Sequence, residues 1–162
     1  FIDQEEGFNY KTFIPCNLYG PYDTFDARNS HLIPAVLMKL HKAKEEGARE
    51  VEIWGDGTPQ REFVYIDDLA NFILSQIKNP EPLFSIMNVG AGEDISINDV
   101  YKTAAEIVGY EAGFVHNLDA PMGMKRKLMD ISRAQSFGWS PKMSLAKGLK
   151  EAYSWYLAHI IV

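Results

Sequence analysis

The feature that most limits the fold is an alternation. Short apolar runs break abruptly into Gly, Asn or Pro, and helix-length amphipathic segments separate them. "TFIPCNL" is the first such run, and it passes at once into the polar, Gly/Pro-punctuated stretch 19–29. "VEIWG", "REFVYI", "FSIMNVG" and "GFVHN" repeat the pattern, each with the β-branched and aromatic content of a strand. Between them lie helical patterns. One starts near Ser30, stops at Gly47, and shows Leu32, Val36, Leu40 and Ala43 along one side. Pro34 falls in its first turn, where a missing N–H costs little. A second starts at Asp67 or Asp68 and ends before Pro80. A third is capped by Ser96 and closed by Gly109, a short turn ends at Gly138, and Ser144 caps the last. Strands alternating with helices predict an α/β fold.

The chain has 162 residues, of which 46% are hydrophobic, enough for a packed core. The formal net charge is −6 with no long basic run, which argues against a nucleic acid partner. An anionic small molecule is still accommodated, because a local Lys/Arg cluster acts inside an acidic protein. No stretch has the length of a membrane span. Cys16 is the single cysteine, so an internal disulfide is excluded and a reducing cytoplasm fits. No Cys/His spacing suits a metal, and no Ser-His-Asp arrangement can be argued.

Apolar strands that end in Gly- or Asn-containing loops are how open α/β sheets build ligand sites. "IPCNLYGP" and "IMNVGAG" have that form, though each alone reads equally as an ordinary turn. "GAG" lacks the third glycine of a dinucleotide fingerprint. In "WGDGTPQREFVYIDDLA", Trp54 offers a flat face for a sugar or base and Arg61 a fork for a phosphate. On the residues alone, both read as well as turn residues. Asp67 and Asp68 read as helix caps. Of the four histidines, His31 stands where a loop becomes a helix. His41 reads as a surface residue, and His116 and His159 have no informative context. The basic run Lys125 to Lys127 reads as a solvated face, and Cys16 as a buried apolar residue in mid-strand.

Seven segments, in order, carry a resemblance: "PCNLYGPYDTF", "NSHLIPAVL", "IWGDGTPQREFVYIDDLA", "NVGAGEDISINDV", "RKLMDISR", "GWSPKMSL" and "GLKEAYSWYL". Together they cover nearly the whole chain. They resemble the C-terminal half of the GDP-L-fucose synthases, a family of extended short-chain dehydrogenases/reductases. "NLYGP" and "REFVYIDDLA" are shared more widely with sugar-nucleotide epimerases and dehydratases. "NSHLIPAVL" and "WGDGTPQREF" are narrower, and together they point to the GDP-sugar branch.

The resemblance implies late strands of a Rossmann sheet plus a smaller C-terminal substrate-binding α/β domain. Residues 1–18 would be the last part of the Rossmann domain and 19–162 mainly the substrate-binding domain, with 67–95 returning to the Rossmann sheet. It implies NADP as cofactor, with Pro15, Cys16, Asn17, Leu18 and His31 beside the nicotinamide. His31 would be the catalytic acid/base of epimerisation, and Lys39, Trp54 and Arg61 would contact a GDP-sugar. The whole enzyme would be a cytoplasmic homodimer that epimerises GDP-4-keto-6-deoxy-mannose at two carbons beside the ketone and then reduces it. The family's Gly-rich cofactor loop, Tyr-x-x-x-Lys pair and partner Cys belong to its other half, so this chain alone is expected to be inactive. "PMGMKRK" departs from the family's "PDGxxRK", with Met122 in place of an Asp. Related GDP-4-keto-hexose or -heptose reductases, UDP- or dTDP-sugar epimerases or dehydratases, and a non-catalytic sugar-nucleotide-binding module are the alternatives.

Overall fold

The computed structural model describes residues 10–78 and 84–161. The expected Rossmann segment 1–18 therefore lies partly outside the described residues, as does the end of the helix before Pro80. The elements in order are β1 (Thr12–Pro15), β2 (Asn17–Tyr19), α1 (Leu32–Glu45), β3 (Glu50–Trp54), β4 (Gln60–Arg61), β5 (Phe63–Tyr65) and α2 (Ile66–Lys78). There follow β6 (Ile86–Val89), β7 (Ile95–Ser96), α3 (Ile97–Val108), β8 (Gly113–Asn117), β9 (Arg126–Lys127), α4 (Ser132–Ser136) and α5 (Leu145–His159). The α/β alternation is as the sequence predicts.

The strand pairing is finer than the sequence suggests. "IPCNL" is not one strand. It breaks at Cys16, so that β1 runs parallel to β6 while β2 runs parallel to β5. "REFVYI" breaks in the same way at Glu62, into β4 and β5. β3 does not pair with the strand after its turn. It lies parallel to the distant β8, Glu50 opposite Gly113 and Trp54 opposite Asn117. β4 sits between β7, antiparallel, and β9, parallel.

Two apolar cores result. The larger gathers Val36, Leu37 and Leu40 of α1, Val51 and Ile53 of β3, Val100 and Ala104 of α3, and Leu149, Ala152 and Tyr156 of α5. The smaller holds Cys16, Val64, Leu69, Phe72, Met87, Val89, Ile131, Ala134 and Trp139. The β2–β5 pair divides between them because successive strand residues face opposite sides. Tyr19 and Tyr65 face the larger core, while Leu18 and Val64 join the smaller.

Caps follow the sequence at two helices. The Ser96 hydroxyl accepts from Asp99 N, and the Ser144 hydroxyl from Lys147 N. Ser30 does not cap α1, whose N-cap is His31. Its hydroxyl is engaged instead with the backbone of Asp26. Asp67 and Asp68 are not caps either, because α2 follows β5 with no intervening residue. The Asp68 carboxylate accepts from the backbone N–H groups of Lys142 and Met143, both at 2.9 Å, and so fixes the turn that leads into α5.

Candidate functional site

An open cleft of about 1250 Å³ lies beside the seam between the two cores. The β2 end and the loop after it form one wall, and the first turns of α1 another. Trp54, Arg61 and the 121–122 segment close the far side. Seven of the eight candidate residues meet there: Cys16, Asn17, Leu18, His31, Lys39, Trp54 and Arg61. Pro15 does not line the cleft. It ends β1, where it pairs with Val89.

Each lining side chain is held in a specific way. His31 is exposed at the head of α1, with extended backbone angles and no side-chain capping bond. Its imidazole is thus free of the role that a Ser or Asp plays at such a position. Lys39, two helical turns on, donates to the carbonyl oxygen of Glu52. Burial holds its pKa below the usual lysine value, and the Glu52 carboxylate opposes that shift. Trp54 is 63% exposed, its indole face open to the cleft. Its Nε1–H donates to Glu52 Oε1 at 2.9 Å, which fixes the ring plane. Arg61 donates from Nη1 to the carbonyl of Gln60 at 2.7 Å. Met122 packs directly over Gly55, whose φ of 69° and missing Cβ allow the approach. An added Cβ there would lie 2.1 Å from Met122 Cγ.

Cys16 is buried but stands at the break between β1 and β2, not in mid-strand. Burial, reinforced by the Glu62 charge, pushes its thiol up to about 12. Such a thiol is an inert wall rather than a nucleophile. Asn17 donates from Nδ2 to the carbonyl oxygen of Glu62 at 2.8 Å.

The residue that sequence reasoning missed is Glu62. It is 2% exposed, a buried carboxylate without a cationic partner among the described residues. Backbone donors satisfy it. Met129 N lies 2.9 Å from Oε1, and Ala91 N and Gly92 N lie 3.0 and 3.4 Å from Oε2. Gly90 leaves room for it, since a Cβ there would come within 2.5 Å of Oε2. One carboxylate thus joins β4–β5, the loop after β6 and the segment before α4. The signal was a charged residue heading the apolar run "EFVYI", a few positions after the turn at Gly55 and Gly57. His41 also departs from expectation. Its Nδ1 lies 3.0 Å from the Tyr153 hydroxyl, so it packs against α5 rather than standing free. In the basic run, Arg126 pairs with Asp94, while Lys125 is a solvated neighbour.

No group of three or more His, Cys, Asp or Glu among the described residues can hold a metal ion. No described helix is long and apolar enough to cross a membrane. For a dinucleotide, Cys16, Asn17 and Leu18 offer a largely uncharged wall where the parallel strand β2 enters the cleft, the usual place for a nicotinamide ring in α/β sheets, and His31 lines the same cleft from the head of α1.

The pattern of the NAD dependent epimerase/dehydratase family matches residues 2–90. A GDP-L-fucose synthase of Azorhizobium caulinodans is 46% identical over 157 residues, which is 97% of this chain and 50% of the relative. A GDP-L-colitose synthase of Yersinia pseudotuberculosis is 48% identical over 158 residues, covering 97% of this chain and 51% of the relative. Among solved structures, a GDP-mannoheptose C4 reductase from Campylobacter jejuni with NADP bound is 32% identical. It superposes with a TM-score of 0.81 over 96% of this chain and 55% of its own. The chain spans about half the length of the curated relatives it matches.

Proposed function

Since this chain belongs to the NAD dependent epimerase/dehydratase family, we propose that it is the nucleotide-sugar-binding half of an NADP-dependent GDP-4-keto-6-deoxy-mannose 3,5-epimerase/4-reductase that makes GDP-L-fucose. The observation that carries the reading is the convergence of His31, Lys39, Trp54 and Arg61 on one cleft whose near wall is the end of β2. A diphosphate needs cations, and Lys39 and Arg61 supply them. A base or sugar needs a flat apolar face, and Trp54 supplies it. Epimerisation beside a ketone needs a group that donates and accepts a proton near neutrality, and an imidazole does both. His31 stands at a fixed helix end from which its ring can reach a sugar while the helix holds its backbone. NADPH, when bound, supplies the hydride for reduction of the ketone. Cys16, Asn17 and Leu18 would flank its nicotinamide, with His31 opposite and Pro15 behind the wall as the end of β1.

The exposed apolar residues support a two-part enzyme. Ile14 and Ile86 lie on the β1–β6 pair, and Leu74 and Ile77 on α2; these are 44%, 53%, 51% and 69% exposed. Parallel strands are normally covered on both faces. We assign residues 1–18, and the return of the chain over 67–95, to the Rossmann domain that the other half of such an enzyme completes. We propose further that the whole enzyme is a cytoplasmic homodimer with the GDP-sugar as its small-molecule partner.

A second reading, a GDP-4-keto-heptose or -hexose reductase without epimerisation, is favoured by Met122, an apolar residue inside the cleft beside Trp54 and Arg61. Calorimetry with GDP, UDP and dTDP tests the nucleotide. We expect GDP to bind at least tenfold more tightly than the other two. Equal affinities, or preference for UDP or dTDP, would refute the GDP reading. With the enzyme joined to a complete cofactor half, deuterium uptake from solvent beside the ketone separates the two reactions.

A further inference from the structure

We propose that residues 20–30 form a strap over the cleft, closed by a hydrogen bond from the Trp155 indole N–H to the Asp23 carboxylate. Asp23 and Trp155 are then positioning residues for a bound nucleotide-sugar. The inference rests on the nucleotide-sugar reading above for its ligand, and on four observations for its geometry.

First, among the described residues two buried side-chain atoms lack a hydrogen-bond partner, Asp23 Oδ2 and Trp155 Nε1. One can only accept and the other can only donate. Buried orphans of this kind are uncommon and call for a reason. Second, the residues around Asp23 already touch Trp155. The Tyr22 ring centroid lies 5.1 Å from it and that of Phe25 lies 5.8 Å away, with Phe25 also stacked on Tyr156 at 4.9 Å. Asp23 is thus bracketed against the indole that carries the orphan donor. Third, Tyr22 has a φ of 65°, a left-handed backbone that a bulky aromatic residue rarely adopts, and it is 86% exposed. Strain of this kind clusters at ligand clamps and switch segments. Fourth, the inner side of the strap is cleft wall. Tyr22, Asp23, Asp26 and Arg28 line it, and the strap ends at His31.

The rest of the strap is self-contained. Asp26 Oδ1 accepts from the N–H groups of Arg28 and Asn29 at 3.0 Å, and Asp26 N donates to Ser30 Oγ at 2.8 Å. This knot moves as one piece about Tyr22. The other Asp23 oxygen, Oδ1, is held by Thr24 N at 2.7 Å, which leaves Oδ2 to turn toward the indole. A ligand that contacts the inner side of the closed strap selects that state by its extra contacts. Closure draws Arg28 and the His31 end of the strap toward the sugar.

The test is a nitrogen-15 spectrum of the 162-residue chain, with the three indole N–H signals of Trp54, Trp139 and Trp155 assigned by single Trp→Phe variants and GDP as the probe. Saturating GDP should move the Trp155 signal downfield together with that of Trp54. In Asp23→Ala the Trp155 signal should stay fixed while Trp54 still responds, with the Kd for GDP raised about three- to tenfold. Asp23→Asn, whose amide oxygen still accepts, should restore the shift. Trp155→Phe keeps the ring stack and loses the donor, so the Asp23→Ala/Trp155→Phe double variant should bind no worse than either single variant. A Trp155 signal that stays fixed while Trp54 responds in the parent chain would overturn the strap and leave the nucleotide reading standing. Additive losses in the double variant, or loss of all GDP binding in Asp23→Ala alone, would also overturn it and make Asp23 a direct ligand. No response at any indole and no heat in calorimetry would remove the nucleotide reading and the strap with it.

Discussion

Replacing Glu62 by Gln changes one oxygen to an NH₂ group and little else in shape. In the parent chain both carboxylate oxygens accept from backbone N–H groups, Oε1 from Met129 and Oε2 from Ala91 and Gly92. A glutamine places its NH₂ at one of these two positions, so at least one donor faces another donor. An unsatisfied buried polar group costs about 1–3 kcal/mol, and bonds to a charged acceptor stand at the upper end. The Gly90 backbone, against which Oε2 is packed, leaves little room to turn away. A total near 2–3 kcal/mol, at about 2–4 °C per kcal/mol for a chain of this size, lowers Tm by roughly 5–10 °C. Circular dichroism melts at neutral pH read the shift. Amide hydrogen exchange gives the second measure, with exchange at Ala91, Gly92 or Met129 speeding up more than at residues of α3. A Tm within 1–2 °C of the parent, with unchanged exchange at all three amides, would refute the view that Glu62 joins the segments.

Three further outcomes follow from the site. Arg61→Ala should weaken GDP binding at least tenfold in calorimetry, the scale of a lost charge-assisted pair of about 1.5–3 kcal/mol, and unchanged affinity would place Arg61 outside the nucleotide site. His31→Gln, in the enzyme completed by its cofactor half, should lower deuterium uptake beside the ketone by about a hundredfold or more while sparing reduction of a ketone that needs no epimerisation; uptake equal to the parent would make His31 structural. Cys16, whose thiol burial pushes up to about 12, should react with iodoacetamide at pH 8 on the order of a thousandfold more slowly in the folded chain than in urea, because the thiolate is the reacting form. Equal rates, followed by mass spectrometry, would show that the thiol is not held in a buried wall.

Much of the fold was legible because its signals are local. Ser96 and Ser144 cap helices with their own hydroxyls, and Gly109 takes the left-handed turn that ends α3. The candidate site was legible in its side chains, and seven of eight residues meet in one cleft. What was not legible is long-range. Nothing near "VEIWG" says that β3 pairs with β8, some sixty positions on. Asp67 and Asp68 look like caps from the residues beside them, yet the partner of Asp68 is the backbone at 142–143. The resemblance groups Pro15 with Cys16, Asn17 and Leu18. The strand instead changes partner at Cys16, and Pro15 ends the pairing with β6. The role of Glu62 is hidden from local sequence because its donors come from residues 91, 92 and 129.

The two breaks, at Cys16 and at Glu62, have one structural cause and one consequence. Cys16 N donates to Val89 O at 3.0 Å, the last bond of the β1–β6 ladder, and the next residues belong to β2. Asn17, just past the first break, donates to the carbonyl of Glu62 at the second. The two changes of partner therefore lie side by side, tied by that bond, and the Glu62 carboxylate ties them to the loop after β6. A sheet that changes partner leaves a gap beyond its strand ends, which is where open α/β sheets bind ligands. Here the gap is the cleft, walled by Cys16, Asn17, Leu18 and Phe63 from the two strands that cross the seam. The β1–β6 side carries the exposed apolar residues Ile14 and Ile86, and the α1 side carries His31 and Lys39. A ligand that spans the cleft therefore touches residues from both sides of the seam. Chemistry that brings two groups together from opposite sides is favoured at such a change of strand partner.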